Sequence, residues 1–215
     1  MENNKLPLYE LLINDASNVS EGVESISFVE NPAIEEDFMF FSKPEESYKF
    51  AEKEDKYLVT GPAMIPNQKI YRIDGRKEFD VFFSEETIAK CNELFFKNSN
   101  IKESNIDHNP TKIDGVTVIE SWLVEDPTKD KSTALGFTGF PKGTWMVTYK
   151  VDNKDLWSKI KSGEVKGFSI EGYFINKLIE MQTTEIDVVT EIESIIFNDT
   201  LSADEQFDMI SKIIS

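Results

Sequence analysis

The sequence predicts an α+β fold: a strand-rich central domain with two helices, between an acidic N-terminal arm and an acidic helical C-terminal tail. Three observations support it. Short β-branched and aromatic runs separated by Gly, Pro and Asp dominate residues 56–175, as strands require. Two stretches of that region instead carry apolar residues at helical spacing behind a capping residue. Finally, the net charge of −17 is segregated: residues 1–55 hold 4 basic and 14 acidic side chains and residues 176–215 hold 2 and 9, while residues 56–175 hold 17 of each. A neutral middle between acidic ends reads as a folded domain (56–175) with two solvated extensions, the arm (1–55) being partly packed on the domain and the tail (176–215) helical.

The elements follow in order. In the arm, Ser25–Val29 and Phe38–Phe41 have strand character, and Glu45–Asp55 reads as a charged loop. Tyr57–Thr60 is a strand closed by Gly61-Pro62. Lys69–Ile73 and Phe79–Phe83 form a hairpin around Asp74-Gly75. Ser84 then caps a helix whose first turn is acidic and whose apolar face is Ile88, Cys91, Leu94 and Phe95. Val116–Val124 is strongly β-branched and apolar and reads as a central strand, and Trp145–Val151 as another. Asp152 caps a second helix, with Leu156, Trp157 and Ile160 on one face and Gly163 as its left-handed stop. Val165–Ile175 is the last strand of the domain. From Thr184 onward, the stripe Ile186-Val189-Ile192-Glu193-Ile196, apolar apart from Glu193, and the stripe Phe207-Ile210-Ile213-Ile214 have helical period.

Composition excludes several functions. The acidic balance speaks against nucleic-acid binding, which needs clustered Lys and Arg. No apolar run reaches the roughly 20 residues of a membrane helix, and Met1–Lys5 opens no apolar signal core, so neither membrane nor secretion is expected. With one cysteine and one histidine, no intrachain disulfide and no multi-thiolate or multi-histidine metal site is expected, and no phosphate loop or dinucleotide fingerprint suggests a cofactor.

Few residues remain for chemistry. His108, in Ile106-Asp107-His108-Asn109-Pro110, is the only side chain whose ordinary pKa lies near neutrality, so any histidine-based mechanism must use it. Ser169 sits in Gly167-Phe168-Ser169-Ile170-Glu171-Gly172. Strand alternation puts Ser169 and Glu171 on one face and Phe168 and Ile170 on the other. A serine needs a base to become a nucleophile, and this run is not the Gly-x-Ser-x-Gly elbow of hydrolases, so spacing alone favours a polar residue on an exposed strand face. Glu120 lies within the apolar Val118–Leu123 run, either paired, for example orienting an imidazole, or on the solvated side of its strand. Cys91 reads as a buried, inert thiol.

These residues fall within a pattern that resembles the XkdF-type phage serine proteases. It comprises Gly143-Thr144-Trp145-Met146-Val147, Leu156-Trp157, Gly163 and Gly167-Phe168-Ser169-Ile170. Phe28–Glu35, Gly61–Pro66 and Glu120-Ser121-Trp122 extend it. That family is similar to the prohead maturation proteases of tailed phages, which are related to herpesvirus assemblin. The resemblance implies a small, mostly antiparallel β-barrel flanked by helices. It also implies a Ser/His endopeptidase cleaving phage scaffold and major capsid proteins in the host cytoplasm, inside the assembling prohead. By the same resemblance Ser169 is the nucleophile and His108 the general base; Glu120 is our choice for the third member. Where the family's usual run after the serine has Gly-Gly, this chain has Glu171-Gly172, which brings a second carboxylate close to the nucleophile. Homo-oligomerisation and self-cleavage stay open, as do two non-catalytic alternatives: an acidic scaffold or core protein, and a degenerate peptide-binding module.

Overall fold

The computed structural model describes residues 6–13, 22–34, 39–41, 56–180, 195–196 and 206. Among these residues the elements follow in the order β1 (Leu8–Leu12), β2 (Gly22–Val29), β3 (Met39–Phe41), β4 (Leu58–Met64), β5 (Ile70–Asp74), β6 (Lys77–Phe82), α1 (Glu85–Lys97), β7 (Val116–Leu123), α2 (Lys131–Ala134), β8 (Trp145–Val151), α3 (Lys154–Ser162), β9 (Gly167–Tyr173) and β10 (Ile175–Glu180). A 3-10 turn, Asn100–Lys102, follows α1.

The strands form three sheets, ordered β10-β1-β6-β5, β2-β9 and β3-β4-β8-β7. All pairs are antiparallel except β1 with β6. The fold is therefore mixed and mostly β, as expected, but the described strands close no barrel. The reason lies in the β2-β9 pair. The outer edge of β2 is taken by irregular chain, with the Ile26 and Phe28 amides donating to the Glu103 and Asn105 carbonyls. Among the described residues β9 pairs with β2 alone, so no continuous ladder runs from sheet to sheet there.

Other expectations need adjusting. The Tyr57–Thr60 strand does not stop at Gly61-Pro62: β4 runs on to Met64, and the missing proline amide is absorbed by a register shift between Pro62 and Met64 against β8. β7 is an edge strand rather than a central one; it stays apolar because Val116 and Val118 point into the core, and a bulge after Val118 turns Ile119 out to solvent. Asn153, not Asp152, caps α3 through its side chain to the Leu156 amide. The last strand breaks at Phe174, and the chain continues as β10, so residues 175–180 pair with β1 instead of opening a helical tail. The helical tail expected from Thr184 onward, and the Glu45–Asp55 loop, lie outside the described residues apart from Ile195, Ile196 and Gln206.

The core positions the site. Phe28 of β2, Phe168 of β9 and Tyr149 of β8 are fully buried and meet with ring centroids 5.0–5.4 Å apart. These aromatic contacts clamp the two-stranded sheet onto sheet β3-β4-β8-β7. Because Phe168 must point into this cluster, its neighbour Ser169 must point the opposite way. The Ser104 hydroxyl donates to the Tyr149 hydroxyl at 3.2 Å, tying the segment before His108 to the same ring.

One glycine of the Ser169 run is fixed by space. A Cβ on Gly172 would lie 1.9 Å from the Gly22 carbonyl oxygen, so β2 and β9 can meet here only without a side chain. Gly172→Ala should therefore destabilise the fold by about 2 kcal/mol or more, since backbone must move to relieve the clash. Denaturant titration checks this; a midpoint equal to wild type would show that the strands do not approach so closely.

Candidate active site

The site is assembled by three segments around one carboxylate. β9 supplies Ser169 and Glu171; β2 supplies Ser25 and Ser27, whose backbones pair with Glu171 and Ser169 respectively. Directly paired residues share a face, so all four side chains stand on the same side of the two-stranded sheet. The third segment is the chain from Asn105 to Asn109. It is pinned to β2 by the Phe28 amide donating to the Asn105 carbonyl at 2.9 Å and the Asp107 amide donating to the Phe28 carbonyl at 3.1 Å. Asp107 and His108 both adopt left-handed backbone conformations, with φ of 48° and 59°. Such a turn, which Asp and His tolerate better than most residues, swings the imidazole back over the sheet.

Glu171 is the point of convergence. Its Oε1 accepts from the Ser27 hydroxyl at 2.7 Å and from Asn105 Nδ2 at 2.8 Å, and lies 2.7 Å from His108 Nδ1. Its Oε2 accepts from the Ser25 hydroxyl at 3.1 Å. Burial pushes this carboxyl up, but the bonds from Asn105, Ser27, His108 and Ser25 outweigh burial and hold it below the ordinary glutamate range. Glu171 is thus an ionised acceptor, which favours the imidazole tautomer with its proton on Nδ1 and leaves Nε2 as the proton acceptor.

The residues singled out from sequence divide into two groups. Ser169 and His108 stand at the same side of the β2-β9 pair, but it is Ser27, with its Oγ 3.3 Å from Nδ1, that lies within hydrogen-bond distance of the ring. Ser27 is completely buried; Ser169 is 7% exposed and lines a cavity of about 450 Å³. Glu120 is engaged elsewhere. Its Oε2 accepts from Lys131 Nζ at 2.5 Å and from the Thr148 hydroxyl at 2.9 Å, and the lysine bond chiefly holds its carboxyl below the ordinary range. The carboxylate at the imidazole is Glu171. Its position two residues from Ser169, on the same face, was legible in the strand alternation. The supporting Ser25, Ser27 and Asn105 were not, because nothing local in sequence links them to residue 171. Cys91 is fully buried, and burial pushes its thiol up to about 12, so it is inert at neutral pH.

With the geometry in place, comparison with known proteins fixes the class. A family model described as "Putative phage serine protease XkdF" matches residues 47–180. That is more than half of the chain, and the protein belongs to this family. No curated protein and no solved structure matches it.

The hydrogen bonds to Glu171 also predict a stability effect. A carboxyl whose pKa is lowered by folding contributes stability that is present above the ordinary value of 4.5 and is lost as pH falls through the folded value. Between pH 7 and roughly pH 3, wild type should lose more stability than Glu171→Gln, which carries no titrating group. Parallel acid-unfolding curves for the two proteins would show instead that the site does not favour the ionised carboxylate.

Proposed function

We propose that the protein is a serine endopeptidase of phage head assembly, cleaving scaffold and major capsid proteins inside the prohead in the host cell. Membership of a phage serine-protease family supports the reaction class. The observation that carries the reading at residue level is the 2.7 Å contact between His108 Nδ1 and an ionised Glu171, two residues from Ser169 on one strand face. In this reading Ser169 Oγ attacks the scissile carbonyl while His108 Nε2 takes its proton. The same imidazolium then protonates the leaving amine, and water repeats the cycle on the acyl-enzyme. Glu171 holds the tautomer and stabilises the imidazolium. Ser169 is preferred over Ser27 as nucleophile because it borders a cavity, whereas Ser27 is sealed from solvent and already donates to Glu171. In apo sites the nucleophile–base bond is often long and tightens with substrate.

A second reading, a peptide-binding module with a degenerate site, draws on one observation: the hydroxyl next to His108 Nδ1 belongs to Ser27. Co-expression with the phage's scaffold and major capsid proteins separates the two. Ser169→Ala and His108→Ala should each abolish processing in proteins that still fold, with a double variant little worse than either. Full processing by Ser169→Ala would refute the serine mechanism. Glu171→Gln should slow processing by about a hundredfold or more, whereas Glu120→Gln, which perturbs a half-exposed pair with Lys131 and the bond from Thr148, should leave the rate near wild type. The reverse order would return the third role to Glu120.

A further inference from the structure

The sheet β10-β1-β6-β5 ends at β5, and among the described residues no strand covers that edge. Exposed edges are ordinarily protected by a bulge, a proline or lysines. The edge strands β7 and β10 each show an irregular register against their neighbours. β5 shows none. Ile70–Asp74 runs in unbroken register with β6 and contains neither proline nor lysine. One of its faces is also apolar and in water, with Tyr71 48% and Ile73 62% exposed.

The hairpin fixes which backbone groups face outward. Gly75 and Arg76 form a two-residue loop, so the flanking Asp74 and Lys77 are a hydrogen-bonded pair. Bonded and non-bonded pairs alternate along the ladder. The N–H and C=O groups of Asp74, Arg72 and Ile70 therefore turn toward β6, and those of Ile73 and Tyr71 toward the open edge. In keeping with this, the Tyr71 carbonyl accepts from Arg72 Nη1 at 3.0 Å. Arg72 and Asp74 share the face opposite Tyr71 and Ile73. Both are exposed, and among the described residues neither meets an opposite charge at ion-pair distance.

Two copies of this edge complement each other in one antiparallel register. With Ile73 opposite the partner's Ile73 at a two-fold axis, outward groups meet outward groups, and the two isoleucines exchange both backbone bonds. Arg72 then stands opposite the partner's Asp74 on each side of the axis, and Tyr71 opposite the partner's Gly75. A Cβ on Gly75 would meet nothing within 4 Å, so the tyrosine ring has room there. Moving the axis to Arg72 would set the two arginines against each other. Moving it to Tyr71 would leave Arg72 opposite Ile70 and Asp74 opposite Gln68, with both charges unmatched. We propose that the protein self-associates through β5 in the Ile73-centred register, joining the sheets of two copies into one continuous sheet. Arg72 lines the cavity beside Ser169, so the partner's Asp74 comes to the rim of that cavity. The pairing is short, which makes the dimer a weak, concentration-dependent one. It stands independently of the protease reading.

Analytical ultracentrifugation of the full-length chain over a wide concentration range tests the proposal. The wild-type chain should pass from monomer to dimer as its concentration rises. Arg72→Asp and Asp74→Arg should each weaken the dimer about tenfold or more, because two attractive cross-strand pairs become repulsive. An equimolar mixture of the two variants should recover the wild-type affinity, since in the mixed dimer every charge again faces its opposite. A chain that stays monomeric at every concentration, a dimer indifferent to both substitutions, or a mixture no stronger than the separate variants would each overturn the proposal.

Discussion

The site depends on one carboxylate. Glu171 collects donors from Ser25 and Ser27 on the neighbouring strand and from Asn105 and His108 on a loop that approaches from the far edge of β2. Each donor matters because burial alone pushes this carboxyl up, toward its protonated form. With them it remains an anion, and the anion fixes the imidazole. The contacts also connect segments far apart in sequence, from residue 25 to residue 171, and so tie β2, the loop and β9 together. Gly172, one residue on, lets the strands come close enough for the serine hydroxyls to reach.

The hydrophobic core holds this cluster in place from the opposite face. Phe168 is locked between Phe28 and Tyr149, and a strand cannot slip by one residue without exchanging its buried and exposed faces. Burying one aromatic side chain contributes several kcal/mol, whereas any single neutral hydrogen bond in the cluster contributes only about 1 kcal/mol net. Packing therefore fixes the strand register, and the hydrogen bonds select the orientation of side chains that packing has already placed. The left-handed turn at Asp107 and His108 is tolerated because backbone bonds hold it on both sides, the Asp107 amide donating to the Phe28 carbonyl and the Asn109 amide to the Ile106 carbonyl.

Much of this was legible in the sequence. The helix beginning behind Ser84, the left-handed stop at Gly163, the Asp74-Gly75 hairpin and the opposed faces of Phe168 and Ser169 all follow from local rules, and the structure has them. What local rules could not supply was pairing between distant segments. Nothing near Glu120 distinguishes it from a carboxylate facing an imidazole; its partners Lys131 and Thr148 are set by how β7 meets α2 and β8. Open sheets in place of a closed barrel depend in the same way on the non-strand residues 103–107 occupying the edge of β2. The break at Phe174, which turns the start of the expected tail into β10, is likewise decided by β1, a partner more than 160 residues away in sequence.

Because His108 is the only histidine in the chain, its ring nitrogens can be observed without assignment ambiguity by long-range proton–nitrogen correlation NMR. At a pH where the ring is neutral, the account predicts the tautomer with its proton on Nδ1, directed at Glu171, and a shift toward the Nε2-protonated form in Glu171→Ala. A ring that carries its proton on Nε2 in both proteins would contradict the claim that Glu171 orients the imidazole for proton transfer.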